Sequence, residues 1–324
     1  MRTLLPAIST FILAWGVAVG GVSEAQAATP TPCPPDAANA FVCLDFTQGQ
    51  TPENVTQEPS GALDVSFSVA RQIAQIGRDR SIRVLATMPK PADGGVHTPV
   101  LHFAATMGLT RASDGTLYYL YAAGSADLTG VWRVTPGGAP QRIAALPADS
   151  LPNGIALNEH TGTLYIADSA PGRIWSVPTT GGPATLWSTD PDLASTGYLG
   201  ANGVKLHDGA VWVSNTDQGT IVRIPIQPNG TAARPTIWAS ALPSIDDFAF
   251  INGTNKILAA ENHTNTIVRV DPDGTQTTEL TPSDGLQNPT SLLIHGDYVI
   301  VMSAAYATHK NPNILIRRLR PLAN

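Results

Sequence analysis

A repeat restricts the fold of this chain more than any other feature. Leu151-Pro-Asn-Gly-Ile-Ala-Leu-Asn158, Gly200-Ala-Asn-Gly-Val-Lys-Leu-His207 and Ser244-Ile-Asp-Asp-Phe-Ala-Phe-Ile251 superpose so that Asn153, Asn202 and Asp246 fall at one position. Asn153 and Asn202 are 49 residues apart, Asn202 and Asp246 are 44 apart, and Asp246 lies 42 before Asn288 of a further copy. Self-similarity at this spacing is the signature of propeller blades. Each copy continues with a second β-branched or aromatic run, as in Thr163-Leu-Tyr-Ile-Ala-Asp168, Ala210-Val-Trp-Val-Ser-Asn215, Lys256-Ile-Leu-Ala-Ala-Glu261 and Tyr298-Val-Ile-Val-Met-Ser303. A third run follows at 173–177, 220–224 and 266–270. Turns at 159–162, 207–209 and 252–253 each contain a Gly able to supply the positive φ of a tight hairpin. Less regular copies start at Pro52-Glu-Asn-Val55 and Met107-Gly-Leu109, which brings the count to six. The expectation is an all-β, six-bladed β-propeller with four-stranded blades. The 27 prolines and 29 glycines are scattered, and no long stretch keeps a 3.6-residue apolar period, so a helical fold has no support.

The N-terminus reads as an export signal. Arg2 precedes an apolar stretch from Leu4 to Val22, and Ala25-Gln26-Ala27 supplies a small-residue cleavage site, so residues 1–27 are expected to be removed. Residues 28–50 form a Pro-rich extended leader, and residues 51–324 the propeller. The only cysteines, Cys33 and Cys43, both follow the cleavage point and would meet an oxidising compartment, secreted or periplasmic. A Cys33–Cys43 disulfide is therefore expected. If the strand around Phe41–Asp45 pairs with the last blade, that staple helps to close the ring.

Charge narrows the partners. A formal net charge of −6, with 14% charged residues, provides no basic field for a phosphate backbone, so nucleic acid is not an expected partner. Nor is a membrane, once the signal is removed. A monomer acting on a small-molecule substrate is the expected form.

Oxygen-bearing residues recurring at one point of a circular repeat converge on its axis, which suits a hard metal ion. Register separates two adjacent carboxylates: two and four residues beyond Asp246 stand Phe248 and Phe250, as Ile155 and Leu157 stand beyond Asn153. Strand alternation then sends Asp246 toward the axis and Asp247 away from it. Asp168, Asn215 and Glu261 end the second strands of their blades, and with Asp247 they form a possible second polar ring. His263 follows one of these strand ends, whereas His160 and His207 sit in turns. No Gly-x-Ser-x-Gly elbow is present.

Aligned in this way, residues 50–317 resemble the regucalcin/gluconolactonase (senescence marker protein) family of six-bladed propellers, and more distantly the strictosidine-synthase-like propellers. The resemblance implies one divalent ion at the channel mouth, held by Glu53, Asn153, Asn202 and Asp246. Glu58 is a rival to Glu53, and Asp247 stands where the family pattern has Gly. Two carboxylates and two amide carbonyls are hard donors, so calcium leads, with magnesium, manganese or zinc as alternatives. The implied activity is hydrolysis of a lactone or related ester, with Asp246 as both ligand and catalytic base. The alternatives are a non-catalytic, calcium-stabilised binding propeller and a strictosidine-synthase-like lyase.

Overall fold

The structure, a computed structural model, describes residues 32–34, 39–251 and 253–319. The expected signal, residues 1–27, lies outside them. Six four-stranded antiparallel sheets follow one another around a ring. Their innermost strands are Pro52–Gln57, Ala105–Arg111, Pro152–Asn158, Ala201–His207, Ile245–Phe250 and Pro289–His295, for blades 1 to 6 in order. Blades 1 to 5 each run outward through consecutive strands. Blade 6 instead takes its outermost strand, Val42–Cys43, from the N-terminal side of the chain, where Val42 pairs with Ile314 and Cys43 with Asn313. Cys33 and Cys43 are joined, with their Cα atoms 5.2 Å apart. The disulfide therefore anchors the strand that closes the ring.

The apolar runs differ along each blade because their surroundings differ. Second strands such as Leu117–Ala122 and Ala210–Asn215 are buried along their whole length, with a neighbouring blade on each face. Outermost strands such as Thr185–Ser188 and Thr236–Ala239 are largely exposed. The core is accordingly divided among the blade interfaces. Leu120 and Val131 of blade 2 meet Leu164 and Ile166 of blade 3, and Ile300 and Met302 of blade 6 meet Val65 and Ala74 of blade 1. Truncating one such residue, Leu164→Ala for example, costs about 2–5 kcal/mol. Among the described residues no helix is long and apolar enough to cross a membrane.

Candidate metal-binding and catalytic site

Every innermost strand breaks register with its neighbour near its start. Pairing skips from Pro52 to Asn54, Thr106 to Leu109, Pro152 to Ile155, Ala201 to Val204, Ile245 to Phe248 and Pro289 to Ser291. A bulge leaves its extra residues unpaired and turns them out of the alternation. The residues freed are Glu53, Met107-Gly108, Asn153-Gly154, Asn202-Gly203, Asp246-Asp247 and Thr290. In blade 6 the equivalent position is thus Thr290, not Asn288, which precedes the strand. Three of the glycines are required by close approach. A Cβ on Gly108 would lie 2.3 Å from the Asn153 carbonyl oxygen, one on Gly154 would lie 2.2 Å from that of Asn202, and one on Gly203 would lie 2.3 Å from Asp247 Oδ1.

The bulge overturns the expected separation of Asp246 and Asp247, because alternation does not run through it. Asp247 Oδ2 accepts hydrogen bonds from Lys205 Nζ (2.8 Å), Ser291 Oγ (2.7 Å) and Asn54 Nδ2 (3.3 Å), which belong to blades 4, 6 and 1. Only a side chain in the central channel reaches all three. Asp246 also faces inward: Oδ1 accepts from Asn202 Nδ2 (2.9 Å) and Oδ2 from Asn262 Nδ2 (3.1 Å). The two differ in what they face. Asp246 lines a cavity of about 470 Å³, whereas Asp247 is fully engaged and carries Lys205 as its counter-ion.

Glu53, Asn153, Asn202 and Asp246 all line this one cavity, each from a different blade. Glu58 does not; it accepts from Gln75 and pairs with Arg111 at 3.2 Å. Nor do Asp168, Asn215 and Glu261. Asp168 accepts from Leu151 N, Arg173 Nε and Trp175 Nε1, Asn215 donates to the carbonyls of Asp192 and Ala194, and Glu261 accepts from Thr264 and Thr266. These residues fasten loops and neighbouring strands rather than forming a second ring at the axis. The inward-facing position is one residue later. Ser169 and Thr216 donate to the Ala201 and Ile245 carbonyls of the next blade, and Asn262 bonds Asp246 and the Pro289 carbonyl. His263 lines the cavity mouth with Tyr198, their rings 6.2 Å apart, and Phe46 stacks on His309 at 4.9 Å.

Tyr306 is a site residue that periodicity did not reveal, since it lies in the loop after the second strand of blade 6. Its hydroxyl donates to Glu53 Oε2 at 2.5 Å and also contacts Ser68 Oγ. Burial pushes the Glu53 carboxyl up to about 7; the Tyr306 hydrogen bond opposes this and the Asp247 charge adds to it. Asp246 is held well above the usual carboxylate range by burial and by the charges of Glu53 and Asp247, against the amides of Asn202 and Asn262. Burial, together with the charge of Glu53, also lifts the Tyr306 phenol. Among the described residues no cationic side chain pairs with Glu53 or Asp246. Two mutually repelling acids without a counter-ion are the setting in which a bound cation gains most.

The amides complete a fitting donor set. Asn153 is buried at the cavity wall, and among the described residues its side chain makes no hydrogen bond. Asn202 spends its NH₂ on Thr216 and Asp246, which leaves its carbonyl oxygen for a ligand. Among the described residues no three His, Cys, Asp or Glu gather around one point, so amide oxygens would supply part of any shell. The set suits a hard, oxygen-seeking cation.

No protein-family model and no curated protein sequence matches this chain. Solved structures do. A gluconolactonase from Xanthomonas campestris is 15% identical with a TM-score of 0.62, over 92% of this chain and 96% of its own. The calcium-binding protein regucalcin from Agrobacterium tumefaciens is 16% identical with a TM-score of 0.62, over 86% and 92%. The likeness to these two structures is one of β-propeller fold. A virginiamycin B lyase from Staphylococcus aureus is also similar, 20% identical with a TM-score of 0.59, over 86% of this chain and 88% of its own. At these identities the likeness establishes the fold alone.

Proposed function

We propose that this propeller is an exported, metal-dependent hydrolase of a lactone or related ester. The observation that carries the reading is the arrival of Glu53, Asn153, Asn202 and Asp246, from four blades, on one cavity that contains two uncompensated carboxylates. These four residues would hold a divalent cation, calcium first. When bound, such an ion polarises a carbonyl and makes a water more acidic. The residues of the chain supply the rest. Asp246, with one oxygen fixed by Asn202 and the other by Asn262, accepts the proton of the attacking water, and burial raises its basicity. Tyr306 fixes the orientation of Glu53. Export agrees with the leader sequence and with the Cys33–Cys43 bridge.

The test is a pair of substitutions assayed at saturating calcium. Asp246→Asn keeps a carbonyl oxygen for the ion and loses the proton acceptor, so turnover should fall by about 10²–10⁴ while calcium still binds. Asp247→Asn should retain appreciable turnover. Equal activity in wild type and Asp246→Asn overturns the assignment. A lyase is the second reading, favoured by the imidazoles of His263 and His309 at the cavity. Hydrolysis in isotopically labelled water places the label in the product, and elimination does not.

A further inference from the structure

The cavity has two sides of different chemistry. Oxygen donors stop at blade 2, where Met107 occupies the bulge position held elsewhere by Glu53, Asn153, Asn202 and Asp246. Around Met107 the wall continues as Val100, Leu101, Phe103, Ala105 and Leu151, members of one apolar cluster that all line the cavity. Three of them come from the loop 88–104 that leads into blade 2. The backbone of that loop is strained where it turns inward, with Val100 at φ 64° and His102 at φ 59°. A β-branched residue in the left-handed region persists only where surrounding packing over-determines it. Here Leu101 N donates to Pro99 O (2.6 Å) and His102 N to Thr98 O (3.0 Å), which holds Val100, Leu101 and Phe103 against the cavity.

We propose that the substrate is amphipathic: a lactone or ester whose carbonyl sits among the carboxylates and amides and whose alkyl or aryl arm lies along Met107, Leu101 and Phe103. This rests on the hydrolase reading and names its substrate class. A polyhydroxylated sugar lactone of similar size would bury hydroxyls against a wall that offers them no partner. An alkyl arm loses no hydrogen bond there, and each buried methylene strengthens binding about fourfold.

The experiment uses unbranched γ-lactones of increasing alkyl length, with gluconolactone as the hydroxylated comparison. Binding to metal-stripped protein is measured by calorimetry, and turnover is measured separately with calcium restored. Affinity should climb about fourfold per methylene over the first several carbons. Gluconolactone should bind at least tenfold more weakly than an alkyl lactone of equal size. Leu101→Asn, on a partly exposed loop, should flatten the series without changing calcium affinity, and Phe103→Ala serves the same purpose if Leu101→Asn does not fold. A chain-length climb without turnover of any member supports the amphipathic site and removes the hydrolase reading. Turnover of gluconolactone with no chain-length dependence keeps the hydrolase reading and overturns the proposal. A flat series with no turnover overturns both.

Discussion

Calcium affinity should depend steeply on pH, because the site must lose protons to bind. The Glu53 carboxyl, raised from its ordinary 4.5 to about 7, has to be ionised before it can coordinate. With one proton displaced from a group that is half ionised at pH 7, lowering the pH from 7 to 5 weakens apparent binding by about 50-fold, or about 2.3 kcal/mol. Asp246 is shifted in the same direction, so the measured loss should be steeper. The metal-free fold should respond in the opposite sense. An acid whose folded pKa is raised binds more protons folded than unfolded, so its contribution is full below about 4.5 and is lost as pH rises through about 7. Metal-free protein should therefore melt higher at pH 5 than at pH 8, and calcium should remove the difference. Isothermal titration at several pH values, in two buffers of different ionisation enthalpy, counts the protons released. Tyr306→Phe removes a hydrogen bond that favours the ionised Glu53, so it should move the pH midpoint of binding upward. Constant affinity from pH 5 to 8 with no proton release would contradict a Glu53 carboxyl that must ionise before it coordinates.

Three further outcomes follow from the geometry. Asn153→Ala and Asn202→Ala should each weaken calcium binding in calorimetry while leaving the metal-free melting temperature within a few degrees, since blade packing supplies most of the stability. Gly154→Ala places a methyl 2.2 Å from the Asn202 carbonyl oxygen, a backbone atom that cannot rotate away. A loss of about 1–3 kcal/mol in denaturant unfolding is expected, together with weakened calcium binding, and an unchanged midpoint would contradict the close approach. Reducing Cys33–Cys43 should cost about 2–3 kcal/mol by releasing the strand that closes the ring, and proteolysis should then begin near residues 39–44; identical unfolding curves with and without reductant would contradict this.

The architecture was legible because a propeller repeats its hydrophobic pattern. Second strands such as Ala210–Asn215 stand between two blades, so their composition announces them. The inner strands were legible only up to their bulges. Alternation assigned opposite faces to Asp246 and Asp247, and a register break between Ile245 and Phe248 turns both inward. The same limit explains the second ring. Reading strand ends selected Glu261, whereas the side chain that reaches Asp246 is the next one, Asn262, because the chain has already left the sheet. In blade 6, Asn288 resembles its counterparts in type, but Thr290 occupies their place. Tyr306 carries no periodic mark at all. It contacts Glu53 across 253 residues of sequence, and only ring closure brings the two together. Met107 was visible as the start of a blade, but its meaning as the point where oxygen donors stop required the register of all six strands.

If an ion held by Glu53, Asn153, Asn202 and Asp246 is required for ester or lactone hydrolysis, activity must follow the ion. Turnover of a lactone panel by metal-stripped protein, before and after titration with calcium, tests it most directly. The stripped protein should show no turnover, and full activity should return at one calcium per chain. No amount of calcium should restore the rate of Asp246→Asn. Turnover that survives chelation, or stoichiometric calcium binding with no hydrolysis of any lactone or ester, would contradict that requirement.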